Sequence, residues 1–199
     1  MRVQDRARVT AIVSAIDPVD ETEADHRADT LRWIASDAVL YRHRKPADPS
    51  KHLVAYFVLL DVDRQAVLLV DHRKALRWLP TGGHVEPEED PCATVHRELF
   101  EELGIAADLI AGTSSNPLFV TQTTTVGQDA GHVDVSLWYV LEGSTTMVFS
   151  PDLNEFAEAR WWNFEEIDAA AATVSFDPHF RRFVGKLRDN LRALASPVA

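Results

Sequence analysis

Glu98, Glu101 and Glu102 fall in a stretch, Pro91 to Leu103, that opens on Asp90-Pro91 and stops at Gly104. Asp at an N-cap, Pro at the first helical position and Gly past the last turn are helix start and stop signals. Successive helical residues turn by about 100°, so this spacing gathers the three carboxylates on one arc with Thr94 beside them. Cys92, Val95, Leu99 and Leu103 fall on a different, apolar arc. Neighbouring like charges on a helix repel by about 0.2–0.5 kcal/mol per pair. A solvated surface is the ordinary use of such a face; a divalent cation would turn the repulsion into coordination. With one cysteine and no histidine cluster evident along the chain, oxygen donors suit Mg²⁺ or Mn²⁺ better than zinc. Mg²⁺ leans on substrate phosphates, which points to phosphoryl chemistry.

The segment Gly83 to Ile105 reads GHVEPEEDPCATVHRELFEELGI. It resembles the Nudix box, G-x5-E-x7-R-E-U-x-E-E-x-G-U with U aliphatic, at every specified position: Gly83, Glu89, Arg97, Glu98, Leu99, Glu101, Glu102, Gly104 and Ile105. The resemblance implies an α/β fold, a Nudix-type α/β/α sandwich with a mixed sheet. It also implies metal binding by Glu98, Glu101 and Glu102 with the Gly82 carbonyl, and support of the loop by Gly83 and the pair Glu89 and Arg97. The implied reaction is metal-dependent attack of water on a phosphorus of a diphosphate linkage, in a nucleoside diphosphate joined to another group. For the base, family members divide between the position matching Glu98 and a glutamate on a later loop. Glu155 is the best late candidate here, with Glu158 second. His84 occupies an unspecified box position and inherits no role.

These residues need a scaffold. Leu53 to Asp61 and Gln65 to Asp71 are short Val/Leu-rich runs around Val62-Asp63-Arg64, the pattern of two strands joined by a turn. Thr81-Gly82-Gly83 reads as a sharp turn, and further strands are expected at Leu118 to Thr124, His132 to Leu141 and Ala159 to Asn163. Asp177-Pro178 repeats the helix start signal, ahead of an apolar stripe of Phe180, Phe183, Val184, Leu187, Leu191 and Leu194. Before the strands, helices are expected over Val3 to Ile16 and about Glu21 to Leu40, split by Asp17-Pro18. Lys45 to Ser50, with two prolines, reads as a loop. The expected organisation is a helical N-terminal extension, 1–50, and a hydrolase domain with a C-terminal helix, 51–199. Leu31, Ile34 and Val39 should pack on that domain or on a partner subunit, which leaves a homodimer open.

The strand from His132 places Val133, Val135, Leu137, Tyr139 and Leu141 on one face and His132, Asp134, Ser136 and Trp138 on the other. The second face is a candidate wall of the substrate cleft, with Asp134 lining it and Trp138 able to stack on a base. Arg73, Lys74 and Arg77 are candidate phosphate contacts, Arg77 foremost. Trp161 and Trp162 are adjacent on a strand, so one of them should enter the core. A formal net charge of −11 opposes docking on duplex nucleic acid or anionic membrane, but not binding of a small nucleotide derivative. The single Cys92 leaves no internal disulfide, which suits a cytoplasmic location. Two other readings stand beside hydrolysis: a nucleotide-sensing module without turnover, and an isopentenyl-diphosphate isomerase. The isomerase would need Cys92 at the reacting centre.

Overall fold

Leu53, Ala55, Phe57 and Leu59 alternate with Val54, Tyr56, Val58 and Leu60, and both sets are largely shielded from water. A strand apolar on both faces has to lie inside a sheet covered on both sides. The computed structural model, which describes residues 3–44, 47–106, 116–125 and 131–195, places it there. This strand, β1 (Lys51–Asp61), pairs in parallel with β6 (Val133–Glu142), and antiparallel with β2 (Ala66–His72) and β4 (Thr81–His84). The mixed seven-stranded sheet runs β3 (Arg77–Leu79), β2, β1, β6, β5 (Phe119–Thr124), with β4 attached to β1 and β7 (Phe156–Asn163) to β2.

Two apolar layers flank the sheet. On one side Leu53, Ala55, Phe57, Leu137 and Tyr139 meet Val95, Leu99 and Leu103 of α3 (Pro91–Leu103), together with Val9, Ile12 and Val13 of α1 (Val3–Ser14). On the other, Val58, Leu60, Val67, Leu69 and Trp138 meet Phe180, Phe183, Val184 and Leu187 of α5 (Phe180–Ala195), and Phe164 and Ile167 of α4 (Phe164–Ala170). This is the expected α/β/α arrangement. Trp162 faces the α5 layer while Trp161 packs against the α3 layer, as strand alternation requires.

Several expectations are revised. The second helix, α2 (Glu21–Ala35), stops at Ser36, whose N–H bonds the Arg32 and Trp33 carbonyls, and Asp37 turns to φ 59°. Leu40 therefore lies outside the helix. Ile34 is buried and Leu31 partly so, but Val39 is exposed. The last strand begins earlier, at Phe156, because it pairs with β2 as far as His72. Helix α4 was not anticipated; an Asn163/Glu166 capping box starts it. Leu194 ends α5 exposed. Lys45 and Pro46 of the expected loop lie outside the described residues.

The first two helices are not loosely appended. Val9, Ile12, Val13 and Ile16 share one core with the sheet. Helix α2 straps the edge strand β5 through buried Glu23, whose carboxylate takes Lys186 Nζ of α5 at 2.8 Å and the Val120 and Val19 N–H groups. Asp20 pairs with Arg182 in the same region. Among the described residues no helix is long and apolar enough to cross a membrane.

Candidate active site

Helix α3 begins as its sequence dictates. The Asp90 side chain accepts from Cys92 N–H, Pro91 opens the first turn, and Gly104 closes the helix at φ 67°. Its apolar arc anchors it to the sheet, which swings Glu98 and Glu102 towards β4. The Gly82 N–H donates to Glu102 Oε2 at 2.8 Å. Gly83 lies so close to the Glu98 carboxylate that a Cβ there would overlap it. The two glycines thus permit the close approach of strand and helix.

Arg97 organises the loop before the helix. It donates from Nε to Glu89 Oε1 and from NH2 to Glu89 Oε2, both at 3.1 Å, and from NH2 to the His84 carbonyl at 3.1 Å. It also reaches Glu98 Oε1 at 2.6 Å and Glu101 Oε2 at 3.3 Å. Thr94 Oγ1 donates to Glu89 at 2.7 Å. Burial pushes the Glu89 carboxyl up, but Arg97 and Thr94 outweigh it and hold it below its ordinary range.

These groups open on a cavity of about 360 Å³. Gly82, Gly83, Arg97, Glu98, Glu102 and Glu155 line it, with Arg77, Lys74, Arg42 and Tyr56 elsewhere on its wall. Burial raises the Glu102 carboxyl well above its usual range, and Glu98 and Glu155 push the same way against the Gly82 hydrogen bond. Burial also raises Glu98, with Arg97 opposing and Glu101 and Glu155 adding repulsion. Crowded carboxylates of this kind, one buried and one partly so, fit a hard divalent cation, whose charge would favour their ionised forms.

The expected site residues are therefore not all gathered. Glu98, Glu102, Gly82 and Glu155 converge on the cavity, and Arg77 and Asp134 line it. Glu101 sits more exposed, paired to Arg97. Glu158 is exposed on β7 and absent from the cavity wall. Arg73 is tied to the Leu153 and Phe156 carbonyls. Trp138 is a correction: it is fully buried beneath α5, stacked near Phe183 and donating to Thr121 Oγ1 at 2.9 Å, so it cannot stack on a ligand in the cleft. Cys92 is packed against the core, where burial raises its thiol, and does not line the cavity.

The absence of a histidine cluster is a second correction. His52, His84, His132 and Asp134 come together, one donor atom from each lying within 4.8 Å of the others. Parallel pairing of β1 with β6 puts His52 directly beside Asp134, and antiparallel β4 brings in His84 opposite Val54. Burial lowers the His84 pKa to about 3, keeping the ring neutral. Burial would raise Asp134, but His132 and His52 bring it down to about 2. Asp177, also on the cavity wall, is raised by burial to about 6. Only the His132/Asp134 alternation signalled this cluster in the sequence.

The model of the NUDIX domain matches residues 50–183. No curated protein matches the chain. Among solved structures the chain is similar to a MutT NUDIX hydrolase from Burkholderia pseudomallei, at 17% identity and TM-score 0.55, over 68% of this chain and 97% of that one. It is also similar to a C. elegans Ap4A hydrolase (17% identity, TM-score 0.55, 71% and 98% of the two chains). A third similar fold is the E. coli dihydroneopterin triphosphate pyrophosphohydrolase (17% identity, TM-score 0.55, 76% and 99%). At these identities the structures speak for the fold, and the domain match, spanning most of the chain and containing the complete box helix, makes this protein a member of the Nudix hydrolase family.

Proposed function

We propose that this protein hydrolyses a diphosphate linkage in a nucleoside diphosphate derivative, using a divalent cation, Mg²⁺ or Mn²⁺, held by Glu98 and Glu102 with Glu101 and the Gly82 carbonyl in support. The observation that carries the reading is the convergence of buried Glu102 and partly buried Glu98 on one cavity with Glu155. The cation would supply charge neutralisation at the phosphates and a more acidic water. Glu89 and Arg97 hold the loop, and Gly83 leaves room for the Glu98 carboxylate. Arg77 and Lys74 are placed on the cavity wall to meet phosphate oxygens. Asp134 belongs to the same wall.

In the reaction a water oxygen bonds to phosphorus while the bridging phosphorus–oxygen bond breaks, and one water proton passes to a carboxylate. Glu98 is committed to Arg97 and the cation, so Glu155 is assigned as the base. The cleft and the acidic net charge favour a small nucleotide derivative over duplex nucleic acid or a membrane surface. A reducing, cytoplasmic setting is in keeping with the single cysteine. Residues 1–50 are read as a helical extension of the hydrolase domain 51–199, leaving their part in a homodimer to be tested by solution mass. An isomerase reading lacks its cysteine, since Cys92 is outside the cavity.

The test is a panel of nucleoside triphosphates, sugar-linked nucleotides and dinucleotides with Mg²⁺ or Mn²⁺, with products identified in ¹⁸O-water. Cation-dependent release of two phosphate-bearing products, or of pyrophosphate, with ¹⁸O in one of them is expected. Nucleotide binding with no turnover of any diphosphate would replace this reading with a sensing module.

A further inference from the structure

We propose that His52, His84, His132 and Asp134 form a second metal site, separate from the box carboxylates and built for a first-row transition ion of the Zn²⁺ type. The inference stands on the geometry of these four residues and does not need the hydrolase reading.

The hydrogen bonds on the far sides of two rings fix how those rings are turned. His52 Nδ1 lies 3.0 Å from the Pro49 carbonyl, which can only accept, so Nδ1 donates there and, in the neutral ring, Nε2 carries the lone pair. His132 Nδ1 lies 3.1 Å from Thr125 Oγ1, and that hydroxyl lies 3.2 Å from the His132 carbonyl, to which it donates. Thr125 thus braces the Nδ1 side of His132 and leaves Nε2 facing the opposite way. Both Nε2 atoms face Asp134 Oδ1, at 3.1 Å from His52 and 3.3 Å from His132. Two ring nitrogens and a carboxylate oxygen thus converge on one point.

His52 is fully buried, and His132 is 8% exposed. His52 Nε2, His84 Nε2 and Asp134 Oδ1 are all buried without a hydrogen-bond partner among the described residues. Orphaned buried polar atoms are costly, and three of them converging on one point call for a cation. A tetrahedral ion with ligands at about 2.0–2.1 Å sets its donors about 3.3 Å apart, which agrees with the two measured separations. Three imidazole nitrogens and one carboxylate favour Zn²⁺, Fe²⁺ or Ni²⁺ over Mg²⁺. The carbonyl and hydroxyl behind the rings are the usual partners that hold metal-binding histidines in orientation.

The site would join β1, β4 and the start of β6 at one end of the cavity. His84, His132 and Asp134 also line that cavity. An ion held there would be closed by these four residues and would add positive charge at that end of the cavity, while the Glu98 and Glu102 region takes a hard cation independently. A single proton shared between Asp134 and one histidine is the competing way to relieve the crowding, but it satisfies only one of the converging pairs.

The test uses the full chain, stripped with chelator, desalted and titrated with Co²⁺ alone, followed by Zn²⁺. One equivalent of Co²⁺ should give the intense visible bands of a four- or five-coordinate ion, displaced by Zn²⁺ and untouched by excess Mg²⁺. His84→Ala, on the partly buried cavity wall, and the isosteric Asp134→Asn should each weaken binding by at least ~100-fold with unchanged circular dichroism, whereas Glu102→Gln should keep the bands. A spectrum of aqueous Co²⁺ only would overturn the proposal. So would bands that survive His84→Ala and Asp134→Asn, or that vanish in Glu102→Gln. No substrate enters the measurement, so its failure would leave the hydrolase reading standing.

Discussion

Adjacent glycines on β4 should respond oppositely to the same substitution. The three atoms nearest a Cβ at Gly83 all belong to the Glu98 carboxylate, which it would overlap at one end while standing 2.9 Å from the farther oxygen, Oε2. An ordinary contact is about 3.5 Å or more, so in Gly83→Ala the carboxylate must withdraw by on the order of 1 Å. Metal–ligand distances tolerate only about ±0.2 Å, and a misplacement near 1 Å costs about 100-fold in rate. The fold should survive, because the group that moves is the end of a flexible side chain. Loss of the Glu98 to Arg97 contact, about 1 kcal/mol, is offset by the ~0.4–1 kcal/mol that replacing Gly gains through the unfolded chain. Net stability should change by less than about 1 kcal/mol, or a Tm shift within ~4 °C. Gly82→Ala is different: φ is 146°, and the added Cβ would collide with the Ala55 carbonyl and sit 2.7 Å from Tyr56 Cα. That is backbone of the paired strand, and this variant should lose the fold. Circular dichroism, thermal melts with and without Mg²⁺ and a hydrolysis assay read all of this. Full activity in Gly83→Ala, or a folded Gly82→Ala, would refute the reasoning.

Three further outcomes are expected. Glu98 and Glu102 have raised pKa values in the folded protein, burial first among the causes, so the folded state holds those protons more tightly than the unfolded chain. Their contribution is present below the unfolded carboxylate pKa of about 4.3 and is lost as pH rises through the folded values. Metal-free wild type should therefore lose stability relative to Glu102→Gln as pH rises from about 4 towards 7, and Mg²⁺ should reverse the difference in paired melts. Glu155→Gln should lower kcat by ~10²–10⁴ while leaving Mg²⁺ affinity, measured by calorimetry, nearly unchanged; a matching loss of affinity would make Glu155 a ligand. Lys186→Met strands the buried Glu23 carboxylate and should cost ~3–5 kcal/mol, visible as a Tm lowered by roughly 10 °C, with little change in KM.

Local pattern made α3, its caps and its carboxylate arc legible, because the information lies within a dozen consecutive residues. The stripe of α5 and the alternation of β6 were legible for the same reason. Distances across the sheet were not. Nothing along the chain says that β1 and β6 run parallel in the register that sets His52 beside Asp134, so the histidine cluster was missed. Trp138 shares its strand face with Asp134, yet α5 covers one end of that face and the cavity opens at the other. Period-two reading identifies a face, not which part of it is roofed. The early end of α2 depends on Asp37 turning to positive φ, which Asp tolerates but does not announce.

The central claim is that the buried Glu102 holds the cation on which hydrolysis depends. Its direct test is turnover of a diphosphate substrate by wild type and Glu102→Gln across a Mg²⁺ titration, since Gln keeps the size and can still accept from Gly82 N–H. Wild type should show Mg²⁺-dependent turnover. Glu102→Gln should remain folded, with turnover lowered by at least ~10² and a weakened response to Mg²⁺, in line with the loss of a preorganised charged group. Equal turnover and equal Mg²⁺ dependence in the two proteins would contradict the central claim.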